Sequence, residues 1–350
     1  MIMKSVQIGN RIVGDNYPCL ISFEAGATFA NMDEAKKMIV SAANAGADAI
    51  KFQTVMSGDA DRLMSNKDIK INFTTPSGKK QESVYEAIKR RELSKESWNE
   101  LVQYAREHKI LFITTVEFPE TVGFLIEAKV DAIKVSKGDI NNVLLIDQIA
   151  KTNLPIILDG REKFEDVEKA IEICEKNGNY KIIIMHCPSG YPAENAGIHL
   201  NAIKSIQSKY NYPVGFADHS VGTMMNFAAI ALDVKMLEKT ITINKATEQV
   251  EHFMSLELNE LSSFIQDVRA VEQAMGDPNI LSVSRVEESA RRSLVAKTDI
   301  KKGQRITREV IDFRRPGDLG ISCAYGFDLL NKVANQDIVK DTVLQWQMFS

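Results

Sequence analysis

A regular alternation constrains this chain most. Up to about residue 275, eight short runs rich in β-branched and aromatic residues recur at even spacing: CLISFEAG, DAIKFQT, KILFITT, DAIKVSKG, LPIILDG, YKIIIMHC, YPVGFADH and VKMLEKTIT. Between them, segments such as MDEAKKMIVSAANAGA and FEDVEKAIEICEKNG place apolar residues three and four apart and carry a glycine near the end, the pattern of an amphipathic helix. Parallel strands need a crossover between them, so eight consecutive β-then-α units predict an α/β fold whose sheet closes into a (β/α)8 TIM barrel. A doubly wound open sheet fits less well, because no GxGxxG follows the first run and eight evenly spaced strands are not its natural layout.

Two stretches break the alternation. The gap between the second and third runs, VMSGDADRLMSNKDIKINFTTPSGKKQESVYEAIKRREL, is polar, carries turn signals such as TPSGKK and exceeds what one helix needs. It predicts an excursion over one barrel face that ends in helix and helps cover the active site. After AMGDPN the pattern changes: residues 277–292 are polar, rich in Arg and Glu, and read as a linker. Residues 293–350 hold short β runs with Lys-Gly and Lys-Asp turns, a small strand-rich domain following a barrel of residues 1–276.

Composition excludes several classes. The chain is 44% hydrophobic and 26% charged, ordinary for a globular protein, and no apolar run approaches the ~20 residues of a membrane span. The start, MIMKSVQIGN, lacks the apolar core and cleavage site of a signal peptide, which predicts a cytoplasmic protein. Cys19, Cys174, Cys187 and Cys323 are scattered without CxxC spacing and read as reduced thiols. A net charge of -4 gives no general reason to bind nucleic acid, so an anionic substrate must be held by locally placed Lys and Arg.

In a (β/α)8 barrel the strand C-termini converge on one pocket, so the polar residues ending the runs form one group. They are Glu24, Lys51, Gln53, Thr114, Thr115, Lys134, Ser136, Lys137, Asp159, Arg161, His186, Ser189, Tyr191, Asp218, His219, Glu238 and Thr240. Three lysines and an arginine around one pocket are costly unless an anion balances them, which implies a phosphate or carboxylate ligand. Lys51 and Lys134 stand inside apolar runs, AIKF and AIKV, which argues against a solvated face. A Schiff-base aldolase would also place a lysine there, so that chemistry stays open. Glu24, after LISF, can orient or deprotonate a substrate hydroxyl or water, or serve simply as ion-pair partner to a lysine. His219 with Glu24 or Asp218 offers a divalent-ion site, although a single histidine is a weak metal signal.

The order FEAG, GADAIKFQT, AIKVSKGDINNVLLI, LPIILDG, IMHCPSGYP, GFADHS, VEHFMSLE and RRSLVAKTDIKKGQRIT…FRRPGDLGI resembles the sialic acid synthase family over nearly the whole chain. The resemblance implies an enzyme that condenses phosphoenolpyruvate with an N-acylated mannosamine-type sugar to a nonulosonic acid and phosphate. It implies a barrel followed by an antifreeze-like (SAF) domain, in a domain-swapped homodimer whose small domain closes the other subunit's site. On that resemblance Glu24 matches the catalytic carboxylate, and Lys51 and Lys134 match the phosphoenolpyruvate-binding lysines. Tyr191 and Glu251 match sugar contacts, with Glu in place of a usual Asp, and Arg315 matches an arginine reaching across the dimer to the sugar. His219 matches one of two histidines that hold a manganese ion. At the other, in MLEKTIT, this chain carries Thr240, a poor ligand, so a Mn or Mg site is weakened unless water or His252 substitutes.

Other departures follow: Lys137 and Asp159 replace serines, Ser189 replaces an asparagine and Ala217 another serine. Lys137 and Arg161 can restore anion binding with charge, which Asp159 opposes unless it is paired. Two alternatives remain open on the residues alone. One keeps the barrel with a different donor or acceptor, or a lyase reaction; the other is a non-catalytic homologue that binds sugar or phosphoenolpyruvate.

Overall fold

The computed structural model describes residues 4–160, 163–277, 279–280, 290–316 and 319–350. Arg161 and most of the expected linker at 277–292 lie outside the described residues. Two compact units divide the chain, Met1–Gly276 and Asp277–Ser350.

The first unit begins with a hairpin, β1 (Val6–Ile8) and β2 (Arg11–Val13). The eight expected runs then form β3 (Leu20–Glu24), β4 (Ala49–Thr54), β7 (Leu111–Val116), β8 (Ala132–Val135), β9 (Ile156–Asp159), β10 (Ile182–His186), β11 (Val214–Asp218) and β12 (Met236–Thr242). All are parallel to their neighbours, and β11 pairs with β12 while β12 pairs with β3, so the sheet closes. Between β4 and β7 lies the excursion: α2 (Asp59–Leu63), an antiparallel hairpin β5 (Lys70–Thr75) and β6 (Gly78–Ser83), and α3 (Val84–Lys89).

The crossovers show why the helical segments fold locally. In α1 (Met32–Ala45) Asn31 caps the start, its side chain accepting from the Glu34 amide at 3.0 Å. Gly46, at φ 90°, ends the same helix in the left-handed region that glycine enters without steric cost. Its apolar face, Ala35, Met38, Ile39 and Ala42, is buried against the barrel.

Strand parity sorts the barrel residues into two sets. Leu20, Ala49, Leu111, Ile113, Ala132, Ile157, Ile183, Met185 and Met236 point inward and pack with Val6, Ile8 and Val13 of the hairpin. The opposite parity, including Ile21, Phe23, Ile50, Phe52, Phe112, Ile133 and Phe216, packs under the helices, where Trp98 donates to the Val55 carbonyl at 3.0 Å.

This parity corrects part of the strand-end group. Thr114, His186 and Asp218 face the helix layer rather than the barrel axis. The Thr114 hydroxyl bonds that of Thr54 at 2.7 Å, and the His186 ring meets the Ile198 carbonyl at 2.6 Å. Asp218 accepts from Lys239 at 2.7 Å, from Asn226 at 2.5 Å and from the Ser220 amide at 2.8 Å. It is a buried structural carboxylate, and its neighbour His219 alone turns inward.

The second unit has its own core, with Leu294, Ile300, Ile306, Ile321, Ile338 and Leu344 fully or nearly fully buried. Its strands β13 (Ser293–Ala296) and β14 (Ile311–Arg314) pair antiparallel. Arg315 follows β14 and is exposed. Among the described residues no helix is long and apolar enough to cross a membrane.

Removing one partner of a buried ion pair leaves the other charged and desolvated. Asp218→Ala is therefore expected to destabilise the protein by about 3–5 kcal/mol in urea titrations, with Lys239 left unpaired.

Candidate active site

The strand C-termini open onto a cavity of about 330 Å³. Glu24, Lys51, Lys134, Lys137, Asp159, Tyr191, His219 and Glu251 of the expected residues line it, as do Gln53, Thr115, Ser136 and Glu238. Register explains the gathering: Glu24 stands level with Lys51 on one side and Thr240 on the other, and Gln53 stands level with Thr115.

Its chemistry is organised around two buried ion pairs. Lys51 pairs with Glu24, and Lys134 meets Glu238 at 2.6 Å. Glu24 also accepts from the Gly26 amide at 2.5 Å. A Cβ at Gly26 would collide with Glu24 and with Gln53, so only glycine lets the chain turn tightly enough for this bond. Burial works against the Lys134 ammonium, yet Glu238 chiefly, helped by Cys187 and Asp159, holds its pKa above the ordinary lysine value. Burial likewise opposes the Glu238 carboxylate, but Lys134 and Lys51 pull it down to about 2. For Glu24 burial wins over Lys51, and its carboxyl stands above the usual range.

Other residues here escaped the reading of strand ends. Arg91, from the excursion, reaches the cavity wall with Leu63 and Ile88, so the excursion does cover the site. Its Nε donates to the Ala87 carbonyl at 2.8 Å, and its Nη1 donates to Gln53. Glu117 also lines the cavity; it continues the inward parity of Ile113 and Thr115 one step past β7, a signal that periodicity alone carries.

Two expected residues stand elsewhere. Ser189 is exposed and lines a neighbouring cavity with His186, Pro188 and His199, because Gly190, at φ 124°, redirects the chain so that Tyr191 enters the main one. His252 is buried against Thr242, Nδ1 to hydroxyl 2.7 Å, and burial pushes its pKa down to about 4.

The donor set does not fit the divalent ion that the resemblance implies. Among the described residues no three His, Cys, Asp or Glu side chains gather in a metal-binding group. His219, with Nδ1 at 3.0 Å from the Pro188 carbonyl, is the one imidazole on the described cavity wall; Glu238 is engaged by Lys134, and Thr240 is buried.

Residues 38–279 match the NeuB family, and residues 291–350 match the SAF domain. The chain belongs to the NeuB family. An N,N'-diacetyllegionaminic acid synthase of Campylobacter jejuni is 33% identical over 93% of this chain and 98% of its own length. The human N-acetylneuraminate-9-phosphate synthase is 29% identical over 97% of this chain and 94% of its own. Among solved structures, an N-acetylneuraminic acid synthetase from Leptospira borgpetersenii superposes with a TM-score of 0.71 at 28% identity, covering 83% of this chain and 96% of that one. The NeuB barrel and its C-terminal SAF domain account for the two units described above.

Glu251 offers a test of this electrostatic picture. It holds φ 74°, strained for a non-glycine residue, and burial, with Glu24 adding to it, pushes its carboxyl up to about 7. The folded value lies above the unfolded one, so the stability it contributes is complete below about pH 4.5 and lost as pH rises through about 7. Glu251→Gln is expected to leave stability little changed at pH 4 and to raise it by up to about 3 kcal/mol at pH 8 in urea titrations.

Proposed function

We propose that this protein condenses phosphoenolpyruvate with an N-acylated mannosamine-type or related amino sugar, giving a nonulosonic acid and phosphate. One observation carries the reading: two buried lysines, Lys51 and Lys134, face one cavity with a buried carboxyl, Glu24, on the adjoining strand. The names of the relatives support it, since they are synthases of legionaminic and neuraminic acids.

In this mechanism Lys51 and Lys134 hold the phosphate and carboxylate of phosphoenolpyruvate, and Lys137 adds charge at the wall; Arg161, outside the described residues, keeps the same proposed role. Both lysines already have carboxylate partners, so they are held in place before the donor arrives and lose little freedom on binding it. Carbon 3 of the donor attacks the sugar aldehyde, water adds to carbon 2, and phosphate leaves. Glu24 takes the proton of that water; a carboxyl raised toward neutrality is a better base than an ordinary one. Tyr191 and Glu251 contact the sugar, and Asp159 borders the donor. Two copies pair, and Arg315 of one reaches the sugar in the other. Cys19 and Cys174 are buried thiols outside any disulfide, in accord with a cytoplasmic setting.

Metal-stripped protein is expected to release phosphate from phosphoenolpyruvate with one sugar of a panel of 2-acetamido and 2,4-diacetamido hexoses. Lys134→Met should lower kcat/KM for phosphoenolpyruvate by roughly a hundredfold or more. Arg315→Ala should raise KM for the sugar more than KM for phosphoenolpyruvate. Folded protein that releases no phosphate with any sugar overturns the reading.

A further inference from the structure

The condensation needs a proton at a second place. As carbon 3 of the donor attacks the aldehyde carbon, the carbonyl electron pair moves onto the aldehyde oxygen, which must be neutralised. The cavity wall supplies no cluster suited to a divalent ion among the described residues, so the electrophile is sought among the side chains.

Glu117 stands where one is needed. It follows β7, which runs between the strand of Lys51 and the strand of Lys134. Lys51 is level with Ile113 and Gln53 with Thr115, and Thr114 pairs with Ile133, so Thr115 stands beside Lys134 and Glu117 lies nearer the mouth than both lysines, one inward position beyond Lys134 and two beyond Lys51. A donor held by the two lysines lies beneath it, and an acceptor entering from the mouth reaches that donor at the level of Glu117. Among the described residues no cation comes within ion-pair distance of its carboxyl. Four charged groups bear on it: Asp139 after β8, Arg91 and Asp59 from the excursion, and Lys51 on β4.

Resting on the synthase reading, we propose that Glu117 is a catalytic acid that gives its proton to the acceptor's carbonyl oxygen as the carbon–carbon bond forms. The aldehyde oxygen becomes a hydroxyl and Glu117 becomes a carboxylate. Glu24 gains a proton from the water that adds to carbon 2, and the resulting hydroxyl gives its proton to the departing phosphate as the carbon–oxygen bond to phosphate breaks and the ketone forms. Solvent returns both carboxyls to their starting states, and no redox partner is needed. Burial first, then the charge of Asp139, pushes the Glu117 carboxyl up to about 7 against the pull of Arg91 and Lys51, so it holds a proton through much of the neutral range.

The test uses the full-length protein with phosphoenolpyruvate and the same sugar panel, in chelator-treated buffer and with added Mn2+. The wild type should turn over without the ion, and its kcat should fall as pH rises through about 7, because the acid must be protonated. Glu117→Gln should lower kcat by about 10²–10⁴-fold and abolish that fall, and Glu117→Asp should recover part of the loss. Independently of turnover, 13C spectra of protein labelled at the glutamate carboxyl carbon should show a carboxyl titrating near 7 that vanishes in Glu117→Gln. Glu117→Gln within threefold of the wild type overturns the role alone, as does an unchanged set of carboxyl titrations. Wild-type activity lost on chelation and restored by Mn2+ also overturns it. No phosphate release with any acceptor, from protein whose Glu117 titrates as expected, overturns the synthase reading and takes this role with it.

Discussion

Closing eight parallel strands into a ring forces every second side chain toward one axis, and in this protein that geometry buries ammonium groups. A lysine so placed survives only with a partner, and the ring supplies one from a strand. Lys51 on β4 pairs with Glu24 on adjacent β3, while Lys134 on β8 reaches across the barrel to Glu238 on β12. Swapping such a pair for packed apolar residues is often neutral or stabilising, so ion pairs are not what a stable barrel requires here. They make sense as groups held ready for a ligand. The lower layer of the same axis shows the contrast: where Leu20, Ile113, Ile157, Ile183 and Met236 fill it, the hairpin closes it with Val6, Ile8 and Val13, and nothing polar is spent.

The barrel was legible because its signal is repeated eight times and each repetition checks the others. A strand whose inward residues are apolar at the bottom and charged at the top reads the same way in AIKF and AIKV. What sequence could not supply was the face of each strand-end residue. Asp218 and His219 are adjacent, so one must turn outward, and the run VGFAD is apolar on both sides of that choice. Lys239, fully buried beneath the helices, decides it. Ser189 failed for a related reason: beyond a strand end parity no longer applies, and the chain's path after Pro188 depends on a glycine with φ 124°.

Arg91 and Glu117 escaped for two different reasons. Glu117 extends the inward alternation of β7 by one step, so the periodicity that found Thr115 reaches it once the strand is followed beyond its last β-branched residue. Arg91 has no such signal. It follows a short helix within a polar excursion, and only the folding of that excursion over the barrel mouth brings its guanidinium beside Gln53. Sequence predicted that something would cover the site, and the three-dimensional path determined which residue points into it.

The described wall of the cavity carries five carboxyls against four Lys and Arg side chains, and with His219 neutral its formal charge would repel an anion. Burial reverses the count. Glu117 and Glu251 are pushed up to about 7, while Glu238 is locked as a carboxylate by Lys134. Carboxyls that hold protons near neutrality cease to oppose an anion, and each anion that enters favours the protonated form further. The same desolvation that makes the lysines costly therefore disarms the acids around them, and a pocket formally rich in acid becomes one that admits phosphate and carboxylate together with the protons their reaction needs.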